Sequence, residues 1–248
     1  LLKKALVAAY SKCFITWDTE IGTLKPEDFP TMSDLYAVLQ TMQKDDSRYE
    51  VLAALLCDMA TGADSFLWNG HTNIEVDSNF VCFDTNRIQN SSEEVKRTQY
   101  FNLLTLCWQL MSADRTKPVF LLCDEAHLLL DPAIPQTAMF MRNMSKRGRK
   151  YEAMLGVVMQ SVTDALNDKI RLYGQALMDN ASYKLFFGTD GKNLQETAAL
   201  FNLTEAEQQI LLSKQRGHAL CFFGNQHLYV DFDIPQYKLE LMGSGGGR

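Results

Sequence analysis

The chain has 248 residues, with 24 lysines and arginines against 30 aspartates and glutamates, which gives a formal net charge of −6. Hydrophobic residues make up 46% of it, enough to bury a core that offsets lost chain entropy, so intrinsic disorder is excluded. The acidic balance argues against a surface that coats nucleic acid broadly. No apolar run approaches the roughly 18–20 residues that span a bilayer, so we expect no integral membrane segment.

The first 65 residues predict helices. Thr31 and Ser33 are both candidate N-caps for the first of two amphipathic helices, and the second ends near Thr61 and Gly62. The predicted buried positions recur at helical spacing. They are Leu35, Val38, Leu39 and Met42 in the first of these helices, and Leu52, Leu55, Leu56 and Met59 in the second.

From residue 76 onward, short apolar runs of strand length alternate with stretches of helix length. The predicted strands are Phe80–Phe83, Val119–Cys123, Leu155–Met159, Lys184–Phe187 and Ala219–Phe223, with helices near 93–111, 134–147 and 163–182. Continuous apolar strands separated by helices indicate a parallel sheet that is covered on both faces. The last run turns at Gly224 and Asn225 into His227–Phe232, which predicts a hairpin at a sheet edge.

These elements predict an α/β protein in three parts. Residues 1–75 form a helical lobe, residues 76–238 an α/β core, and residues 239–248 a flexible tail that ends in a glycine-rich run. Six cysteines are scattered without a C-x-x-C pair, and several lie inside apolar runs. This pattern favours free buried thiols in a reducing compartment, so we predict a cytoplasmic location.

The most specific motif lies where the strand Val119–Cys123 is followed directly by Asp124 and Glu125. This is the Walker B arrangement of P-loop ATPases, in which a buried parallel strand holds carboxylates at the sheet edge that binds ligands. Asp124 would hold Mg²⁺ through water, and Glu125 would orient and polarise an attacking water. The alternative interpretation is an acidic N-cap pair of the following helix.

The next predicted strand, Leu155–Met159, ends in Gln160, whose amide could sense a γ-phosphate or the attacking water. Between the two strands lies the basic run Lys146–Lys150, whose alternative interpretation is a solvated helix C-terminus that suits the helix dipole. The order of strand, Asp-Glu, helix, Gly-Arg-Lys, strand and Gln is more specific than any of its parts.

This order resembles the FtsK–HerA superfamily of ring-forming ATPases that translocate DNA and proteins. Within it, residues 1–235 are most similar to the C-terminal ATPase domain of the VirB-four-like (TraC- and TrbE-like) ATPases of type IV secretion and conjugation. The matching stretches are 30–36 (Pro-Thr-Met-Ser-Asp-Leu-Tyr), 68–73 (Trp-Asn-Gly-His-Thr-Asn), 80–84, 124–127, 147–150 and 159–161.

The resemblance implies a RecA-like P-loop fold and a role for each motif. Asp124 would assist Mg²⁺, Glu125 would activate water and Gln160 would sense the γ-phosphate of ATP. Arg149 would be an arginine finger that enters the nucleotide site of a neighbouring copy, with Arg147 as the alternative candidate. Such a finger stabilises the charge of the transition state only when copies pack together, so hydrolysis would depend on assembly.

The resemblance also implies partners and a location. We expect a ring of copies, six in number, that hydrolyses ATP to energise channel or pilus assembly and the transfer of DNA or protein. Other secretion components, including inner-membrane and coupling proteins, are the expected partners, and DNA is a further candidate. The protein would lie in the cytoplasm, peripheral to the inner face of the cell membrane.

The sequence departs from the family in one respect, because the phosphate-binding loop Gly-x-x-x-x-Gly-Lys-Ser/Thr is absent. The nearest run, Gly188–Asn193, has the wrong glycine spacing and no hydroxyl after its lysine. In the family the loop lies N-terminal to the region seen here, so we expect the sequence to be a piece of a longer protein. We therefore predict that this chain alone neither binds ATP tightly nor hydrolyses it.

Three alternative functions stay open at this stage. One is a non-catalytic docking module of the secretion machinery, in which the acidic pair has no chemical role. Another is a DNA-pumping ATPase such as a coupling protein or a chromosome translocase. A third, suggested by the letters Asp-Glu-Ala-His at 124–127, is an RNA helicase, but neither a downstream Ser-Ala-Thr motif nor a second RecA-like lobe is visible.

Overall fold

The computed structural model describes residues 1–74, 76 and 78–243. The chain divides into two compact units, Leu1–Phe83 and Asp84–Arg248. The first unit is helical, and the second combines helices with two small sheets. Each unit has buried apolar packing of its own.

The first unit consists of helices, as the sequence predicts. They are α1 (Leu2–Lys12), α2 (Met32–Met42), α3 (Arg48–Ala60) and α4 (Ser65–Trp68), with 3₁₀ turns at Ile21–Thr23 and Pro26–Asp28. The buried cluster of this unit draws on α1, α2 and α3. Its members are Ala5, Ala9, Leu35, Val38, Leu39, Tyr49 and Ala53. The small side chains of α1 let its backbone approach α2 closely, because interhelical distance depends on side-chain size at the contact.

Helix α2 begins with a capping box. The hydroxyl of Thr31 accepts a hydrogen bond from the Asp34 backbone N–H, and the Asp34 carboxylate accepts one from the Thr31 backbone N–H at 2.7 Å. Thr31 is therefore the N-cap. Ser33 lies inside the helix instead, and its hydroxyl donates to the carbonyl of Ala60 at the end of α3.

Two expectations about this unit are wrong. Leu55 does not face the core, because its side chain is 71% exposed, and the small Ala53 and Ala60 occupy buried positions of α3. Helical periodicity could not rank the two faces, since α3 carries apolar residues on both. The run Phe80–Phe83 forms no strand, and Phe80 is 87% exposed. None of the described strands pairs with this run, and an unpaired run has no ladder to join.

The second unit alternates helices and strands. Its helices are α5 (Asn86–Gln89), α6 (Glu93–Ala113), α7 (Pro135–Arg147), α8 (Val162–Ala165), α9 (Arg171–Asn180), α10 (Gly191–Phe201), α11 (Glu205–Leu212) and α12 (Gln236–Met242). Its strands are β1 (Val119–Cys123), β2 (Ala153–Val157), β3 (Tyr183–Phe186), β4 (His218–Phe223) and β5 (Gln226–Asp231). Short 3₁₀ helices lie at Ala126–Leu128 and Gly148–Tyr151.

Strands β1 and β2 form a parallel pair that is connected through α7. Their register places Val119 opposite Ala153 and Cys123 opposite Val157. Leu121, Cys123, Leu155 and Val157 belong to a cluster that includes residues of α7 and α9. Parallel pairing was predicted for these strands, although β2 begins and ends two residues earlier than expected.

Strands β3, β4 and β5 form a separate antiparallel sheet in that order. The expectation that the run at 184–187 joins the parallel sheet is therefore wrong, since β3 pairs antiparallel with β4, with Tyr183 opposite Phe223. An apolar run contains no information about strand direction, so composition could not decide this point. The predicted hairpin is confirmed: Gly224 adopts φ +61° in the turn, and β5 lies at the sheet edge.

The parallel pair has one face that the described residues leave largely open. Phe120 and Leu122 of β1 are each 56% exposed, and Met154 of β2 is 55% exposed. A Cβ on Gly156 would lie within 2.9 Å of the Phe120 and Leu122 side chains, so both lean over this glycine. Helices on both faces of the sheet were predicted, and in the described part of the chain this covering is incomplete.

The C-terminal boundary of the second unit also differs from the prediction. Residues 239–242, which were assigned to a flexible tail, form the end of helix α12. Pro235 stands at the N-cap of that helix, where a fixed φ and a missing N–H cost little. The rest of the predicted tail, residues 244–248, lies outside the described residues.

Candidate functional site

The C-terminal ends of β1 and β2 lie side by side. Beyond the last paired residues, the Val158 N–H donates to the carbonyl of Cys123 at 2.9 Å, and the Ala126 N–H donates to the carbonyl of Val158 at 2.8 Å. These bonds continue the parallel ladder into the two segments that follow the strands. The residues that follow β1 and those that follow β2 are therefore held next to each other.

Glu125 and Gln160 meet at this edge. The amide nitrogen of Gln160 donates to both carboxylate oxygens of Glu125, at 3.2 Å each. The two residues are 35 positions apart, and both side chains are exposed. The sequence predicted that the carboxylates and this amide would share one edge of the sheet, and the structure brings Glu125 and Gln160 into direct contact there.

The backbone at Glu125 has an uncommon conformation. Its φ of +50° and ψ of +42° lie in the left-handed region, which a non-glycine residue enters at a cost. One oxygen of Asp124 accepts the N–H of Glu125 at 2.9 Å. The chain therefore turns sharply directly after β1, and Asp124 stabilises that turn while its side chain stays exposed.

His127 is a second neighbour of Glu125, and the sequence indicated it only as the last letter of the Asp-Glu-Ala-His run. It lies in the 3₁₀ helix after Glu125, and its Nδ1 atom is 3.3 Å from a Glu125 oxygen. That nitrogen is buried and lacks hydrogen-bond geometry to any described residue, so the contact is a close electrostatic approach. The Asp-Glu-Ala-His letters contained this clue, because residues two apart in a tight turn can meet.

A cavity of about 490 Å³ opens beside His127, within the second unit. Polar residues in its wall include Lys96, Tyr100, Asp131 and Thr163. The Tyr100 hydroxyl is buried and has no hydrogen-bond partner among the described residues. The volume is in the range of small-molecule pockets, and the cavity is a polar recess adjoining the Glu125 site.

The thiol next to the acidic pair is inert. Burial, followed by the nearby Cys107, raises the pKa of the Cys123 thiol to about 12. A protonated buried thiol is neither a nucleophile nor a metal ligand. This agrees with the prediction of free cysteines.

Arg147 and Arg149 lie at the other edge of the parallel pair. Arg147 is the last residue of α7 and Arg149 lies in the following 3₁₀ helix; both are exposed. They precede β2, whereas Gln160 follows it, and a five-residue strand is about 16 Å long. Within one copy, the structure therefore does not bring either arginine to Glu125.

The turn that carries Arg149 is firmly anchored. The ring of Tyr151 packs edge-on against Trp108 of α6 at 5.0 Å, and the guanidinium of Arg115 lies 4.6 Å from the centre of the same ring. A Cβ on Gly148 would come within 2.7 Å of the Ala153 carbonyl oxygen, so only glycine fits there without a shift. These contacts fix where the basic turn leaves the sheet edge.

Asn193 is a residue of the site region that sequence reasoning missed. Its side-chain oxygen accepts hydrogen bonds from the Ser161 hydroxyl at 3.0 Å and from the Val162 N–H at 3.1 Å. Ser161 directly follows Gln160, so Asn193 binds the end of the Gln160 segment. One clue was present in the sequence, because asparagine near the start of a helix frequently hydrogen-bonds to neighbouring groups.

The donor set fits Mg²⁺ in the way that the family predicts. Magnesium prefers oxygen ligands and keeps several waters, so one or two carboxylates together with substrate phosphates suffice. Asp124 offers an exposed carboxylate at the strand end, next to that of Glu125. The described residues contain no group of three or more His, Cys, Asp or Glu that would form an all-protein metal cage.

The search for membrane segments gives a negative result for the part of the chain that is described. None of its helices combines the length and the apolar character that crossing a membrane requires.

Comparisons with known proteins identify a similar solved structure and a similar curated protein. No family model matches the chain. Among solved structures, it is similar to VirB4 of Thermoanaerobacter pseudethanolicus, with a TM-score of 0.84 and 39% identity. That similarity covers 96% of this chain and 64% of the VirB4 chain.

Among curated proteins, the chain is 35% identical over 77 residues to the type IV secretion system protein CagE of Helicobacter pylori (strain ATCC 700392 / 26695). This match covers 31% of the chain and 8% of CagE, so the chain spans only a part of each relative. Both relatives agree with the resemblance that the motifs indicated. By sequence and by fold, the chain is therefore similar to a part of the VirB4-like proteins of type IV secretion.

Proposed function

We propose that the chain is the C-terminal part of an ATP-hydrolysing motor of type IV secretion, in which Glu125 and Gln160 form the catalytic edge. The observation that supports this most strongly is the contact between the Gln160 amide and the Glu125 carboxylate at the ends of two parallel strands. Open α/β sheets bind their ligands at the carboxyl ends of the strands. The two VirB4-like relatives support the secretion context.

Each residue at this edge has a distinct role in the proposal. Glu125 orients the attacking water and accepts its proton, and Gln160 donates its amide to a γ-phosphate oxygen. Asp124 holds Mg²⁺ through water; when bound, the ion neutralises charge on the phosphates. The phosphate cradle itself comes from a Gly-x-x-x-x-Gly-Lys-Ser/Thr loop in a longer protein, because the present sequence contains no such loop.

Arg149 completes the site of a neighbouring copy, with Arg147 as the alternative. The position of both at the opposite edge of the sheet supports action in trans, because neither reaches Glu125 within one copy. An arginine supplied in this way is worth a factor of about 10³–10⁵ in kcat in other NTPases. Hydrolysis then depends on ring assembly, for which we propose six copies.

The motor acts with other components of the secretion machinery, including inner-membrane and coupling proteins, at the cytoplasmic face of the membrane. Its hydrolysis of ATP energises channel or pilus assembly and substrate transfer, with DNA or protein as the material moved. Hydrolysis changes the conformation of this edge, because loss of the γ-phosphate removes a hydrogen-bond partner of Gln160.

The decisive experiment compares two glutamine variants in a longer protein that includes the upstream region. Glu125→Gln is expected to lower kcat by about 10²–10⁴-fold while ATP binding and oligomer size persist, because it removes the base but keeps the side-chain shape. Glu152→Gln is the matched control: Glu152 is also exposed and left-handed, with φ +51°, but it lies at the other end of β2. Steady-state ATP turnover and size-exclusion chromatography provide the two measurements.

Equal turnover in the two glutamine variants would overturn the proposal. If substrate transfer in cells also survived Glu125→Gln, the docking-module alternative would replace it. Stimulation of hydrolysis by DNA in a salt-dependent manner would instead favour the DNA-pumping alternative.

The arginine in trans is tested by mixing subunits. Arg149→Ala subunits keep a complete catalytic edge, and Glu125→Gln subunits keep the finger, so mixed oligomers regain part of the turnover that each variant loses alone. Lys146→Ala, which removes a neighbouring exposed cation outside the Gly-Arg-Lys motif, serves as the control and should keep parental turnover. If Arg149→Ala alone kept full turnover, Arg147→Ala would be expected to show the effect instead.

A further inference from the structure

The segment Gly188–Asn193, the run nearest in sequence to a phosphate loop, contacts the chain that follows β2 through its last residue. Its last residue, Asn193, is bonded to Ser161 and Val162, directly after Gln160. We propose that Asn193 is a positioning residue that holds the Gln160 segment where its amide meets Glu125. This inference rests on the proposed function for its catalytic meaning, and its structural part can be tested without activity.

The position of Asn193 matters because, among the described residues, few polar contacts hold the Gln160 segment, whose neighbours Met159 and Val162 pack against the buried cluster. Strand β2 ends at Val157, and the backbone bonds to the β1 side end at Val158. The contact of Gln160 with Glu125 is made by the Gln160 side chain and not by its backbone. The next fixed points are Ser161 and Val162, and a single oxygen of Asn193 accepts from both of them.

Asn193 also makes Ser161 an effective helix cap. The Ser161 hydroxyl accepts the Thr163 N–H at 3.1 Å at the start of α8, and the same hydroxyl donates to Asn193. A serine hydroxyl has one proton to donate; when Ser161 gives it to Asn193, the Thr163 hydroxyl, 2.7 Å away, is the donor of the Ser161–Thr163 contact, and the Ser161 lone pairs face the helix. Ser161, the residue directly after Gln160, is therefore held both by Asn193 and by the start of α8.

The other end of the Asn193 side chain is anchored as well. Its amide nitrogen donates to the Thr189 hydroxyl at 2.8 Å, and the Thr189 N–H donates to the carbonyl of Leu211 at the end of α11. Gly188 lies so close to Lys214 that a Cβ would come within 2.5 Å of the Lys214 Cα atom. Asn193 thus connects the Gln160 segment to a firmly packed part of the same unit.

The test follows the side-chain amide resonances of Gln160 by NMR in the 248-residue chain. The resonances are assigned to Gln160 because they disappear in the Gln160→Leu variant. The Glu125→Ala variant gives the chemical shifts that they adopt when the carboxylate is absent. In Asn193→Ala we expect these resonances to move toward the Glu125→Ala positions, because the segment loses its anchor. Asn193→Asp keeps the accepting oxygen, so its resonances should stay closer to those of the parent chain.

Lys192→Ala is the matched control in the same turn of α10. The Lys192 side chain is 80% exposed and contacts Glu196, on its own helix, at 3.5 Å. We expect the Gln160 resonances of this variant to coincide with those of the parent chain. An equal displacement in Lys192→Ala and Asn193→Ala would attribute the effect to the helix start in general and would overturn the proposal.

A second variant covers the case in which Asn193→Ala does not fold. Ser161→Ala removes the hydroxyl partner of Asn193 and leaves α10 intact, so a smaller displacement in the same direction is expected. Coincidence of the Gln160 resonances with those of the parent chain in the folded variants would contradict the positioning role.

The catalytic consequence is measured separately in the longer protein. Asn193→Ala should lower kcat about tenfold and leave KM for ATP unchanged, because Asn193 orients a catalytic group without touching the nucleotide in this arrangement. If Glu125→Gln left turnover intact, the proposed function would fail while the NMR result could still stand. If Asn193→Ala kept parental kcat while Glu125→Gln did not, only the positioning role would fail.

Discussion

At the scale of single residues, Glu125 combines a strained backbone with a side chain held by an amide. Its φ of +50° places it in a region that costs an L-residue about 1–2 kcal/mol. A strained residue at the end of a strand is maintained only when its surroundings determine it, here through Asp124, Gln160 and the ladder bond of Ala126. The strain therefore marks the same residue that we place at the centre of the reaction.

This strain can be measured with two substitutions. Both Glu125→Ala and Glu125→Gly remove the contacts to Gln160 and His127, but glycine enters the left-handed region at little cost. We expect the glycine variant to unfold with a free energy about 1 kcal/mol higher than the alanine variant. Chemical denaturation of both chains provides the comparison, and an alanine variant at least as stable as the glycine variant would contradict it.

The capping box of α2 gives a prediction that depends on pH. Hydrogen bonds from Thr31, first from its hydroxyl and then from its backbone N–H, hold the pKa of Asp34 below its usual 3.8. A carboxyl with a lowered folded-state pKa stabilises the fold above its unfolded pKa, and it loses that contribution as the pH falls through the folded pKa. The stabilisation is therefore present at neutral pH and declines in acid.

We expect Thr31→Ala to lower the free energy of unfolding by about 1 kcal/mol near neutral pH, as for other N-cap losses. The difference from the parent chain should shrink as the pH is taken below 3.8, because Asp34 becomes protonated in both chains. Thr41→Ala is the control, since among the described residues that hydroxyl bonds only to the Ala37 carbonyl in the same helix. A Thr31→Ala difference that stays constant with pH would contradict the role of Asp34.

At the scale of elements, the approach of α9 to α8 depends on one glycine. A Cβ on Gly174 would come within 2.0 Å of the Ala165 carbonyl oxygen at the end of α8. Such an overlap with backbone cannot be relieved by a side-chain rotation. Because α8 begins directly after the Gln160 segment, this close packing also supports the candidate site.

Gly174→Ala should therefore destabilise the second unit by about 1–3 kcal/mol, although alanine is the better helix former. Gly22→Ala is the control, because a Cβ there meets nothing within 4 Å. Thermal unfolding followed by circular dichroism measures both. A Gly174→Ala chain as stable as the Gly22→Ala chain would show that α8 and α9 can separate at little cost.

The parts of the fold that the sequence predicted are those governed by local rules. The end of β1 could be located because an apolar strand followed by Asp124 and Glu125 is itself informative, and parallel strands align their carboxyl ends. The meeting of Glu125 with Gln160 follows from that alignment. By contrast, the antiparallel pairing of β3 and the contact of Asn193 with Ser161, 32 positions away, depend on how distant segments pack. No local periodicity records such contacts.

At the scale of the whole molecule, the sequence contains the proposed catalytic edge but no Gly-x-x-x-x-Gly-Lys-Ser/Thr phosphate loop. The described fold offers Asp124, Glu125 and Gln160, but backbone N–H groups of a glycine-rich loop supply most of the affinity for phosphates in this class. We therefore predict that the 248-residue chain shows no ATP turnover above that of its Glu125→Gln variant. A coupled phosphate-release assay measures this, and turnover above the variant would contradict the prediction.

If Glu125 and Gln160 act as we propose, the two hydrogen bonds that Gln160 donates to Glu125 have a consequence for the state without nucleotide. The amide contacts both carboxylate oxygens, so the Glu125 side chain is held toward Gln160, while each oxygen keeps a lone pair that can accept from water. In this proposal, an incoming phosphate oxygen competes for the Gln160 amide. When the amide changes partner, the Glu125 carboxylate is released while nucleotide is bound. Gln160 would thus link the readiness of Glu125 to act as a base to the arrival of nucleotide.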